Sequence, residues 1–163
     1  LRKKVSEREE YIDFLNKGIS EYIVSLMASE MNMSDSRKIN GYYAIISNLE
    51  RIGDHAVNLA EYGDDMRKWE IDFSDTVKAQ CIAALDNLKE VTSENVERIL
   101  SQAVIIEQKT DDMRDKYFKK QMQRLKKGKC KPQSGIVFSE ILTDFERMGD
   151  HALNIAQQYR EME

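Results

Sequence analysis

Along most of the chain apolar residues recur every three or four positions, the spacing that lines one face of an α-helix, and the pattern breaks only at a few polar or glycine-bearing stretches. Five helices are expected from it. The first runs from about Lys3 to Asn32. The second begins near Ser34 or Asp35, either of which can accept from exposed first-turn amides, and reaches about Trp69. A third, shorter helix starts after Ser74 and stops near Val91, and Thr92 or Ser93 caps a fourth that runs to about Lys127. The stretch GKCKPQSG, residues 128–135, is the most loop-like in the chain, and a fifth helix fills the remainder. With no low-complexity linker between them, neighbouring helices should be antiparallel.

Inside this pattern lies a repeat. ERIGDHAVNLA, from Glu50 to Ala60, returns as ERMGDHALNIA, from Glu146 to Ala156, with eight identities and three exchanges of one apolar residue for another. A solvated helix face does not need glutamate, glycine, aspartate and histidine in one register, so the chain is an internal duplication. At 100° per residue, with Glu50 set to zero, Ile45, Leu49, Ile52, Ala56 and Ala60 fall between about 200° and 280°, and Glu50 and Asp54 sit just beside that face. Helix five repeats the arrangement, with Glu146 and Asp150 flanking Ile141, Phe145, Met148, Ala152 and Ala156. Helix one carries Glu9 and Asp13 at the same spacing beside Leu15, Ile19, Tyr22 and Leu26. Helix four carries Glu107 and Asp111 beside Ile99, Ile106, Met113 and Tyr117, less regularly because Lys109 and Thr110 interrupt.

Four helices thus hold a Glu-x-x-x-Asp pair at one angular offset from the core. In the first hairpin the two pairs lie roughly 22 and 18 residues from the turn, which at ~1.5 Å per residue is a difference of about one helical turn; the second hairpin gives nearly the same figures. Each hairpin can therefore gather four carboxylates. Like charges at i and i+4 destabilise a helix by a few tenths of a kcal/mol, so a positive partner is expected. Arg51 and Arg147 point about 50 to 100° away, which favours a bound cation. All-oxygen donor sets suit magnesium, calcium, manganese or ferric iron, and zinc less well unless a histidine joins. His55 and His151 lie about 100° round from their neighbouring aspartates, where a structural role is expected rather than ligation. Gly53 and Gly149 sit beside the pairs at a cost of ~1 kcal/mol relative to alanine, either to let a partner helix approach or simply to set the distance between helices.

Composition narrows the class. One proline, seven glycines and 41% hydrophobic residues in 163 fit an all-α domain with a single core. The formal net charge of −4 gives no reason to expect nucleic acid. Cys81 and Cys130 form no CxxC, which suits a reducing compartment. No apolar run approaches the ~18 residues of a membrane span. Because LRKKVSEREE lacks an initiator methionine, the chain is expected to be a piece of something longer.

ERIGDHAVNLAEY and DFERMGDHALNIAQQY resemble the twin signature of PhoU-like domains, and EYIDFLNKGISEYIVSLM leading into the first signature is similar to the cytosolic C-terminal PhoU-like region of bacterial sodium/phosphate cotransporters. The resemblance implies tandem antiparallel three-helix bundles, a first repeat over residues 1–70 and a second over residues 71–163. It implies surface metal clusters, of iron or zinc with manganese or magnesium as alternatives, held by E(D)xxxD motifs. Carried over residue by residue, the ligands are Glu9, Asp13, Glu50, Asp54, Glu107, Asp111, Glu146 and Asp150. It also implies a non-enzymatic, regulatory role in phosphate uptake at the cytoplasmic face of the cell membrane, beside a membrane transporter in the same polypeptide or a separate one.

The second repeat has a leading helix, Ser74 to Val91, that the first lacks. An uncovered apolar groove seldom stays exposed, so either an upstream helix or a second molecule should fill it, and a homo-oligomer is expected. From Lys119 to Lys131 the run KKQMQRLKKGKCK holds seven basic residues and no acid. It can be a solvated helix end, where cations complement the dipole, or a contact for anionic lipid; without interleaved aromatics it fits nucleic acid poorly. Two other function classes compete with a metal-bound regulator. A carboxylate-bridged metalloenzyme would normally supply Glu-x-x-His at i and i+3, which is absent. A structural helical adaptor would leave the acidic pairs as solvated flanks.

Overall fold

A computed structural model of the chain describes residues 2–89 and 96–162. Among these residues the regular structure is entirely helical: α1 (Arg2–Met27), α2 (Met33–Lys68), α3 (Asp75–Lys89), α4 (Val96–Lys126) and α5 (Pro132–Met162). The all-α expectation holds, and the differences lie at the helix ends. α1 stops at Met27, five residues short of the expected end, where Ser29 turns back and donates both its amide and its hydroxyl to the Leu26 carbonyl. The cap of α2 is Asn32, not Ser34 or Asp35: its Oδ1 accepts from the Asp35 amide at 2.9 Å while its Nδ2 donates to Asp35 Oδ2 at 2.8 Å. This reciprocal pair satisfies a first-turn amide and places an acid at the positive end of the helix dipole. Residues 132–135, read from the sequence as loop, already belong to α5, because proline at the first helical position lacks only an amide that would go unbonded there anyway. Thr92, Ser93 and Val91 lie outside the described residues.

α2 and α5 pack against each other at the centre; among the described helices α1 lies against α2 alone, while α3 lies against both α4 and α5. The two repeats are therefore unequally buried. α3 and the segment before it deliver Ile71, Phe73, Val77 and Ala84 onto Val137, Phe138, Ile141, Leu142 and Phe145 of α5, with Phe73 edge-on to Phe138 at 5.9 Å. Among the described residues of the α1–α2 hairpin only Ile23, Gly41 and Gly53 are buried. There Leu15, Ile19 and Leu49 stay 39–47% exposed and line a groove of about 470 Å³ with Ile12, Ile46 and Ile52. Among the described residues no third helix covers it. On α4 Thr110, which interrupts the apolar face, is nonetheless buried and donates its hydroxyl to the Ile106 carbonyl at 2.7 Å.

Candidate metal centre

The repeat offset of 96 residues maps α2 onto α5, and packing these two helices together makes the repeated residues meet across a pseudo-twofold relation. His55 on α2 donates from Nδ1 to Asp144 Oδ1 on α5 at 2.7 Å. In the related place His151 on α5 donates from Nδ1 to Asn48 Oδ1 on α2 at 2.9 Å, and the Asn48 Nδ2 is committed to the Ala44 carbonyl. Asn58 and Asn154 reach the same two acceptors at 3.5 and 3.4 Å. The two imidazoles stack with centroids 5.6 Å apart. The histidines thus tie one repeat to the other. A neighbouring pocket of about 550 Å³ runs from Glu9, Glu50 and Asp54 to Arg51, Arg147 and both imidazoles.

On either side of this junction lie the carboxylates that the helical-wheel geometry allowed to converge, and one of the two groups closes tightly. In the α4–α5 hairpin Glu107, Asp111 and Asp150 each bring an oxygen within 4.8 Å of the other two. Asp111 Oδ1 is buried and has no hydrogen-bond partner among the described residues. Burial first, then the charges of Asp111, Asp150 and Glu146, raise the Glu107 carboxyl above the ordinary range; Asp111 is raised by burial and then by Asp150. Glu146 joins the group electrostatically, raised by burial, Asp150 and Asp111 and partly offset by Arg114.

The α1–α2 cluster is looser. Burial and then Asp13 raise the Glu9 carboxyl, with Asp54 contributing from the facing helix. Burial, Asp54 and Asp13 raise Glu50. Asp13 and Asp54 thus act on both glutamates, but among the described residues only the α4–α5 triad brings three oxygens within 4.8 Å. Gly53 is not forced by contact: a methyl there would meet Ile12 Cδ1 at 3.5 Å and Glu9 Cγ at 3.7 Å, ordinary van der Waals distances. Of the two readings open for this glycine, close backbone approach loses its support.

Both signatures and nearly all of the remaining chain fall within one known domain: the family model described as "PhoU domain" matches residues 1–63 and 72–159. The chain belongs to the PhoU domain family. It is 27% identical to the phosphate-specific transport system accessory protein PhoU homolog 1 of Thermotoga maritima, over 97% of this chain and 71% of that protein. A PhoU homolog of Clostridium acetobutylicum is 26% identical over 94% and 73%. Among solved structures the fold is similar to PhoU from Pseudomonas aeruginosa, with a TM-score of 0.79 at 20% identity over 99% of this chain and 80% of that one. It is likewise similar to the phosphate transport system regulatory protein PhoU from Streptococcus pneumoniae, with a TM-score of 0.76 at 19% identity over 99% and 78%. The relatives named are PhoU accessory and regulatory proteins, so the narrower likeness to a cotransporter's C-terminal region does not come from them.

Three participants escaped the sequence reading. Asp144 and Asn48, the acceptors for the histidines, occupy equivalent places two residues before each repeated segment, but as aspartate and asparagine they add no identity to the repeat. Arg114, one turn beyond Asp111, lowers the carboxyl pKa of both Asp111 and Glu146 and pairs with Asp115 at 3.1 Å. α1 and α4 align at an offset of 98, Glu9 with Glu107 and Asp13 with Asp111, so its first-repeat counterpart is Asn16 and no repeat signal marks it.

Proposed function

We propose that this PhoU-family chain is a metal-binding regulatory module of phosphate transport, without catalytic activity of its own. The observation that carries the metal reading is the α4–α5 triad: three carboxylates from two helices within 4.8 Å, one with a buried oxygen that has no hydrogen-bond partner among the described residues. Such an arrangement is unfavourable unless a cation compensates it, since desolvation and mutual repulsion both oppose three charges there. The donors are all oxygen, which fits a hard ion; Glu107, Asp111, Glu146 and Asp150 would hold one centre and Glu9, Asp13, Glu50 and Asp54 the other. Iron or zinc follows from the family resemblance, with manganese or magnesium as alternatives. The metal would supply a fixed positive charge cross-linking the two helices of each hairpin.

The partner in this proposal is a membrane phosphate transporter, of the sodium/phosphate cotransporter kind in the same polypeptide or a separate transport system, with this module at its cytoplasmic side. The named roles of the relatives, accessory and regulatory proteins of phosphate transport, support the regulatory part. No helix among the described residues is long and apolar enough to cross a membrane, so membrane attachment would come from a partner, another segment or the surface. A second copy covering the α1–α2 groove would make the assembly a homo-oligomer.

The test is metal stoichiometry by elemental analysis, on protein purified without chelator or nickel resin, beside a variant carrying Asp54→Asn and Asp150→Asn. The parent is expected to retain metal and the variant to lose at least nine-tenths of it. A parent that is metal-free and takes up none of iron, zinc, manganese or magnesium on titration leaves the helical adaptor as the function.

A further inference from the structure

The basic run takes no part in the carboxylate centres, and the structure shows how its charges are disposed. No acidic residue occurs between Asp115 and Glu140. Arg124 is structural: its guanidinium lies over the Phe138 ring at 5.6 Å, and its Nε donates to Gln121 Oε1 at 2.9 Å. The six lysines, Lys119, Lys120, Lys126, Lys127, Lys129 and Lys131, are all exposed, and none forms an ion pair among the described residues. Gln121 is buried on the core side of α4, and at 100° per residue Lys119, Lys120, Lys126 and Lys127 fall within an arc of about 120° opposite it. Lys129 and Lys131 extend the same charge into the turn before α5. Glu70 and Asp72 share a cavity with these last two, but Asp72 is already taken by Lys78 at 2.8 Å.

We infer that this end of the molecule, the C-terminal half of α4 with the turn into α5, docks on an anionic lipid surface. The inference goes beyond the metal reading and does not depend on it. Net charge is no obstacle, because charge is sorted along α4. Lys126 lies 15 residues beyond Asp111, about 22 Å along the helix axis. The Debye length at physiological ionic strength is about 8 Å, so a bilayer touching the lysines acts on them and is screened from the carboxylate clusters. The composition of the patch favours lipid over nucleic acid. Its free cations are all lysines, flexible point charges suited to a diffuse sheet of headgroups rather than the forked arginine contacts that read bases and phosphates.

The experiment is sedimentation of the chain with vesicles of phosphatidylcholine alone or with one-third phosphatidylglycerol, at about 0.1 M and about 0.5 M salt. A triple variant, Lys126→Glu, Lys127→Glu and Lys129→Glu, is compared with a control carrying Lys4→Glu, Lys17→Glu and Lys38→Glu, exposed lysines outside the run. Circular dichroism confirms that both fold. At low salt the parent should partition at least ten-fold more onto the anionic vesicles; the patch variant and high salt should each remove that preference, and the control should keep most of it. Equal binding to both vesicle types overturns the inference. So does an equal loss in the two variants, which would make net charge the cause, and so does tighter binding to a random DNA duplex than to anionic vesicles at equal salt.

Discussion

A histidine that donates to a carboxylate and a histidine that donates to an amide occupy equivalent places in this protein. His55 and His151 descend from one position of the repeat, yet Asp144 accepts from the first and Asn48 from the second. Asp144 is 5% exposed, so losing the imidazole would take the short 2.7 Å bond from a carboxylate inside the α2–α5 interface and leave it the weaker Asn58 contact at 3.5 Å. His55→Ala is therefore expected to destabilise the chain by about 3–5 kcal/mol. His151→Ala strands only a neutral amide and is expected to cost about 1–3 kcal/mol. Denaturant unfolding of the two variants checks the order, and equal losses would mean that the Asp144 pair is no more than a neutral contact. The histidines' angular position on the helices was legible before the structure. Their acceptors were not, because nothing in one helix's spacing says which side chain of another helix will lie opposite.

Helix ends show local chemistry outranking pattern. α2 closes with Glu70 at φ 50°, while the Ile71 amide donates to the Met66 carbonyl at 2.8 Å and the Glu70 amide to the Arg67 carbonyl at 3.3 Å. α4 closes in the same way around Gly128 at φ 63°, with Lys129 donating to Arg124 and Gly128 to Leu125. These are two copies of one termination motif, in which a left-handed residue lets two late carbonyls find donors. Glycine takes that conformation without strain and glutamate does not. Glu70→Gly is therefore expected to stabilise the chain by about 0.5–1 kcal/mol, read as a higher denaturation midpoint at unchanged slope. A lower midpoint would show that Glu70's side chain contributes more than its backbone costs. The geometry persists at Glu70 because Ile71, next in the chain, is held in the core beside Met66. That tertiary contact cannot be read from Trp69–Glu70 themselves.

At the scale of the whole molecule, the carboxylate clusters make stability depend on pH. Glu9, Glu50, Glu107, Asp111 and Glu146 are all held above the ordinary carboxyl range, by burial first and by neighbouring acids second. Each binds its proton more tightly folded than unfolded. Stability is therefore lost as pH rises from the ordinary carboxyl range through the raised one, and regained on acidification. His151 is shifted down by burial and by His55, and works in the opposite sense below about pH 6.5, where its protonation favours the unfolded chain. In chelator-treated protein the Asp54→Asn and Asp150→Asn variant should lose less stability than the parent as pH rises from the ordinary carboxyl range toward neutrality, as measured by Tm across buffers. Parallel profiles would show that the clusters are too well solvated to repel, and metal added to the parent should flatten its profile.

The sequence by itself determined the five helices, the duplication and the angular placement of all eight acids, because helical periodicity and a repeated register are properties of one strand of letters. Only tertiary structure decided that α2 and α5 would be the central pair, that the second cluster would close more tightly than the first, and that one histidine would meet a carboxylate and the other an amide. Those outcomes depend on what faces each helix. α3 packs over α4 and α5 and completes a core around Phe138, whereas α1 and α2 have no such cover among the described residues and leave Leu15, Ile19 and Leu49 half exposed. Spacing records which side of a helix is apolar, and the neighbours that bury that side set how closely its flanking charges are drawn together.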